Sequence, residues 1–209
     1  MLKSLAVVSS MVVILSAGAY GQTSIHSATT SSLLTRLATV DTSDSHYSVQ
    51  DSILTELLRR KPVDQLIATY KHPANDTQAK QLLQSVLYHI RDKTVTAFMH
   101  SLLSDSATTA TYYAAMYFAK CGDTTALSLL DRHLWDWPVS SWQMSYTVRL
   151  FGKYKYYPAI DNLIDELQAA SLNLSGEALA ALKEFYPNSP QFGDPDEAVK
   201  YFRKIRHSK

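Results

Sequence analysis

Two stretches of this chain repeat each other without a gap, and that repeat limits the possible folds more than any other feature. Tyr113 to Leu134 (YAAMYFAKCGDTTALSLLDRHL) overlays Tyr146 to Leu167 (YTVRLFGKYKYYPAIDNLIDEL), each position meeting its equivalent thirty-three residues later. Phe118 falls on Phe151, Lys120 on Lys153, Ala126 on Ala159, Leu127 on Ile160, Leu130 on Leu163 and Leu134 on Leu167. A period of this size belongs to stacked supersecondary units rather than to one closed fold around a single active site.

Outside the repeat, the apolar spacing is that of helices. Val95, Phe98, Met99, Leu102 and Leu103 follow i, i+3, i+4, i+7, i+8, which lines one helical face. Val49, Ile53, Leu54, Leu57 and Leu58 do the same, as do Leu82, Leu83, Val86, Leu87 and Ile90. No segment sustains the alternation of a strand. The pattern predicts an all-α chain with helical hairpins over 48–71, 75–104, 107–134, 140–170 and 175–206, preceded by a short capping helix near 32–40. Beyond position 21, glycine occurs only at Gly122, Gly152, Gly176 and Gly193, each read as a helix end or a turn. Pro62, Pro158 and Pro195 suit first helical positions, where a missing N–H costs nothing. Asp194 is the expected cap of the last helix, with Asp196 and Glu197 in its favourable first turn.

One hairpin cannot bury its own apolar stripe, so neighbours must pack to share an interior. AKCGDTTALSLLDRHL (Ala119 to Leu134) and GKYKYYPAIDNLIDEL (Gly152 to Leu167) each place a short turn before an Ala-Leu or Ala-Ile pair. In this they resemble HEAT-type α-solenoid repeats, and ALKEFYPNSPQFGDPDEAVKYFRKI (Ala181 to Ile205) fits with about six extra residues between its helices. The resemblance implies a right-handed stack of about five antiparallel helical hairpins over 45–209, used for scaffolding or partner binding. Two departures stand out. The turn Asp is present at Asp123 but replaced by Tyr156, and no inter-repeat Arg ladder is visible. Tetratricopeptide-like stacking is the nearest alternative.

Leu5 to Ala17 is an apolar run behind Lys3, shorter than the roughly 20 residues of a membrane span. With small residues at Ala17, Ala19 and Gly21, it reads as a signal peptide over 1–21, cleaved after Ala19 or Gly21, for export to a periplasm or the exterior, with an uncleaved amino-terminal anchor as the alternative. Residues 22–44 then form a flexible leader and the capping helix. Beyond position 21 the nineteen basic and nineteen acidic residues balance, so no global field favours nucleic acid or an anionic membrane. The basic end (Lys200, Arg203, Lys204, Arg206, Lys209) reads as a solvated final turn complementing the helix dipole, with a docking patch as the alternative. A single cysteine, Cys121, excludes an intramolecular disulfide, so stability rests on apolar burial. It reads as a partly buried structural thiol.

No His-Glu-x-x-His, Gly-x-Ser-x-Gly, phosphate-loop or dinucleotide glycine pattern occurs, and no cofactor is implied. His100, Ser104 and Asp105 come nearest to a nucleophile set, but nothing local supplies an oxyanion site. His89 and Asp92 are too few for a metal. The stronger signal is aromatic. All three tryptophans and seven of the thirteen tyrosines lie between Tyr112 and Tyr157. Trp135, Trp137 and Trp142, in or beside the loop joining two hairpins, either anchor a partner or plug the gap between hairpins. With Tyr112 and Tyr156, they are the candidate partner-binding residues. The expectation is an exported non-enzymatic module that binds a protein or peptide. A structural accessory subunit of an envelope complex, or an enzyme with a site assembled across repeats, are the alternatives.

Overall fold

The computed structural model describes residues 25–39, 47–72, 77–104, 106–134, 136–137, 140–168 and 174–206. Residues 1–21, read above as a signal peptide, and Asp105 and Trp135 lie outside them. Among the described residues the chain is all-helical, with no strand. The helices are α1 (Thr30–Thr39), α2 (Tyr47–Arg60), α3 (Val63–Lys71), α4 (Thr77–His89), α5 (Lys93–Leu102), α6 (Thr109–Ala119), α7 (Thr124–Arg132), α8 (Ser141–Lys153), α9 (Ile160–Gln168), α10 (Ser175–Phe185) and α11 (Pro195–Arg206). A 3-10 turn, Tyr157–Ala159, leads into α9. From α2 onward, these helices fall within one residue of the spans that periodicity predicts, α2 beginning at Tyr47.

The chain divides into two compact units, residues 1–98 and 99–209. In the first, α1 packs on α2, α3 and α4 around Leu33, Leu37, Ile53, Leu57, Leu83 and Leu87. Glu56, 1 % exposed, is held there by Arg59 (Nη2 to Oε1, 2.6 Å), Arg60 (Nε to Oε1, 2.7 Å) and His26 (Nδ1 to Oε2, 2.8 Å). These partners hold its carboxyl well below the usual range, the Arg59 and Arg60 hydrogen bonds counting most. Arg60 also donates to the carbonyls of Ala28 (2.6 Å) and His26 (2.8 Å), and Ile25 is buried. Residues 25–28, expected to be part of a flexible leader, are therefore tied to α2.

In the second unit, α6 packs on α7, α8 on α10, and α9 on both α10 and α11. The Tyr112 hydroxyl on α6 donates to the Gln143 carbonyl on α8 (2.7 Å), and Gln143 Nε2 donates to the Tyr113 hydroxyl (2.9 Å). Four of the repeat pairs are buried in both copies. Ala126 and Ala159, Leu127 and Ile160, Leu130 and Leu163, and Leu134 and Leu167 are all buried.

The turns match as well. Gly122 (φ 84°) and Lys155 (φ 49°) are both left-handed. After each, the next amide reaches back: Asp123 N–H to the Phe118 carbonyl (3.4 Å), and Tyr156 N–H to the Phe151 carbonyl (2.9 Å). Gly122 N–H meets the Ala119 carbonyl (2.8 Å) as Lys155 N–H meets that of Gly152 (3.0 Å). This is the Schellman closure, in which a left-handed residue returns two amides to the last carbonyls of the helix. Lys61 (φ 49°) ends α2 with only the shorter closure, its N–H on the Leu57 carbonyl (2.8 Å). Pro62 follows and has no N–H to make the second bond.

Gly152 is the next-to-last residue of α8, at the helix end where it is expected, and α10 passes so close there that an added Cβ would stand 2.7 Å from the Ala181 Cα. One local expectation needs correction. Cys121 is exposed rather than partly buried. It sits in the turn between α6 and α7, its N–H on the Phe118 carbonyl (2.9 Å).

Candidate functional site

Placement of the five candidate rings follows from which helix face carries them. Tyr112 lies on the inner face of α6 and is 2 % exposed, and burial pushes its phenol well above the ordinary value. Trp137, 4 % exposed, packs edge to face against Tyr112 (5.6 Å between ring centres) and His133 (5.7 Å). Its indole N–H is buried without a hydrogen-bond partner. For these two, the contact role gives way to the packing role, since a ring already covered offers no area to a partner. Trp135 lies outside the described residues.

Trp142 is the opposite case. At 74 % exposure it is the most exposed of the large apolar side chains among the described residues, followed by Tyr157 and Tyr146. Ser140 caps α8 in a reciprocal box with Gln143, which fixes the first turn that carries Trp142. Tyr146, Arg149 and Lys153 follow at helical spacing and are exposed too, so one face of α8 presents two rings and two cations. Arg149 is engaged by Glu177 of α10 through two hydrogen bonds (2.6 and 2.5 Å), which depress the Glu177 carboxyl and raise the guanidinium.

Near α6 and α7 a half-open cavity of about 470 Å³ lies within the second unit. Its apolar lining is Phe118, Leu103, Ala126 and Leu129. His100, Ser104, Asp123 and Arg132 supply polar lining. The His100 ring stands edge to face with Phe118 (6.3 Å). Asp123 caps α7 by accepting the Ala126 N–H (3.0 Å). Ser104 bonds to the hydroxyls of Ser106 (2.6 Å) and Thr111 (2.8 Å), a hydroxyl cluster rather than a nucleophile aligned on His100.

Tyr156, the fifth candidate, covers Phe151: the rings are 5.8 Å apart and tilted by 33°. Phe151 is fully buried, whereas its equivalent Phe118 is half-buried and lines the cavity. Sequence reasoning did not find this cavity, although the exchange of Asp123 for Tyr156 in the aligned turns was its signal.

His89 packs edge to face on Tyr88, and Asp92 caps α5 by accepting the Thr94 N–H (2.7 Å). No group of three or more possible metal ligands occurs among the described residues. No helix among them is long and apolar enough to cross a membrane. At the basic end, Arg203 pairs with Asp165 (3.1 Å) and Arg206 with Asp161 (3.3 Å), both on α9. Compared with family models, curated proteins and solved structures, the chain matches none.

Proposed function

We propose that this chain is an exported, non-enzymatic helical-repeat protein that binds a protein or peptide partner. Its hairpins form a right-handed, HEAT-like stack of about five units, and it works in a periplasm or outside the cell after loss of residues 1–21. The stacking is supported by the shared burial of repeat partners and by the twin closures at Gly122 and Lys155. The binding role rests on one observation: Trp142 stands 74 % exposed on an ordered, capped helix, with Tyr146 and Arg149 along the same face. Burying a large ring is favourable, and tryptophan, tyrosine and arginine are the residues that most often anchor interfaces. A balanced net charge and the lack of any reaction motif direct the reading to a protein surface rather than to nucleic acid or catalysis.

Selection of peptides from a displayed library against residues 22–209 tests this. The expectation is a family of peptides whose binding weakens at least about tenfold in Trp142→Ala, a loss of about 1.4 kcal/mol, while the unfolding midpoint is unchanged. Enrichment of no peptide, or of peptides indifferent to Trp142, would contradict it.

A further inference from the structure

The two repeats share an interior but differ at the residue after the left-handed turn position. In the second repeat that residue is Tyr156, and its ring lies over Phe151, which is fully buried. In the first repeat it is Asp123, too short to cover the equivalent Phe118, and the cavity lies there. Phe118, Asp123 and Ala126 line this cavity, and their equivalents are Phe151, Tyr156 and Ala159. One repeat later, the molecule thus sets a phenol ring against the equivalent phenylalanine.

We infer that the cavity beside Phe118 is a recognition seat for an aromatic side chain, of phenyl or phenol type, projecting from a partner peptide. The inference rests on the partner-binding reading and names the chemistry of one contact. The cavity's volume of about 470 Å³ lies within the range of about 300 to 1,000 Å³ of small-molecule sites, room for one ring and its flanking chain. Phe118 and His100 already stand edge to face, so a third ring can add to an aromatic cluster in the offset or edge geometry such groups prefer. Leu103 and Leu129 supply apolar walls. His100 is a polar group at the same cavity, suited to a phenol hydroxyl or to peptide amides.

The test uses p-cresol, the tyrosine side chain as a free molecule, titrated into the methyl-labelled chain 22–209 and followed by NMR. Saturable shifts are expected at Leu103, Ala126 and Leu129, with half-saturation on the order of millimolar, as befits so small a ligand. Asp123→Tyr, which carries the second repeat's own plug, should lower occupancy at least about tenfold. Tyr156→Ala should open a second seat and add a saturable shift at the Ala159 methyl, silent in the parent chain. Amide spectra of both variants check folding, and if Asp123→Tyr fails to fold, Tyr156→Ala alone decides. Shifts that are scattered or do not saturate, or a folded Tyr156→Ala chain with no response at Ala159, would overturn the inference. If selected peptides bind while p-cresol does not, the seat is wrong and the binding reading stands. If p-cresol binds and no peptide is ever enriched, the cavity takes a ring but the partner-binding reading falls, and its role as a peptide seat falls with it.

Discussion

The turn after α6 and the turn after α8 share a backbone and differ in what they cover. Both pass through a left-handed residue, Gly122 and Lys155, and both return two amides to the helix they end. The first is followed by Asp123, which caps the next helix and leaves Phe118 partly open. The second is followed by Tyr156, which makes no side-chain cap but lies over a buried Phe151. Interior seats are held in common, then, while turn side chains are free to diverge. The reason is physical: the apolar positions must fit their packing neighbours at native density, whereas the turn side chain faces water on one side.

The largest effect expected concerns the shared seats. Leu130→Ala and Leu163→Ala, both fully buried in the parent, should each cost about 2 to 5 kcal/mol in chemical denaturation. A negligible loss at one of them would break the equivalence. Next is Gly152→Ala, where the new Cβ meets the backbone of Ala181, which cannot swing aside as a side-chain tip would. Overpacking of this kind costs about 1 to 3 kcal/mol. Ala119, its equivalent, already carries a Cβ, so Gly152 marks where α8 and α10 approach more closely than a Cβ allows.

The left-handed positions should respond in opposite directions. Gly122→Ala places a Cβ at φ 84° and 3.0 Å from the Tyr154 ring, and a loss of about 1 to 2 kcal/mol is expected in thermal unfolding. Lys155→Gly relieves the same conformation and should leave stability unchanged or raise it by up to about 1 kcal/mol. A loss there would mean that the Lys155 side chain contributes packing.

The smallest effect is one of pH. Glu166, 6 % exposed on α9, has its carboxyl raised by burial, while the equivalent residue in the first repeat is His133. A carboxyl raised on folding contributes stability that is fully present below its unfolded value and is lost as pH rises through the folded one. Glu166→Gln should therefore raise the unfolding midpoint at pH 7 and leave it unchanged below about pH 4, where the parent is also neutral. An equal gain at both pH values would assign the effect to packing instead.

How far the sequence could be read depends on whether each signal is local. Leu130 and Leu163 were legible because a helical stripe states its own period. The turns were legible because Gly122 and Asp123 have narrow conformational uses. Gly152 was legible as a helix end, but its close approach to Ala181, twenty-nine residues on, was not, since nothing near it in the sequence records that contact. Trp137 and Trp142 carry the same side chain five residues apart, yet one is covered by Tyr112 and His133 and the other faces water. Composition cannot separate them, since the difference is made by which neighbours fold over the ring. Tyr156 was grouped with possible contact residues, although its mismatch with Asp123 already marked the place where one repeat is closed and the other open.

The open and closed repeats can be distinguished by one experiment, the paramagnetic attenuation of phenylalanine ring signals by a soluble nitroxide. The account predicts that Phe118 ring signals are attenuated, that those of Phe151 are spared, and that Tyr156→Ala makes Phe151 behave like Phe118. Equal attenuation of the two rings in the parent chain, or a Phe151 still spared after Tyr156 is truncated in a folded variant, would contradict it.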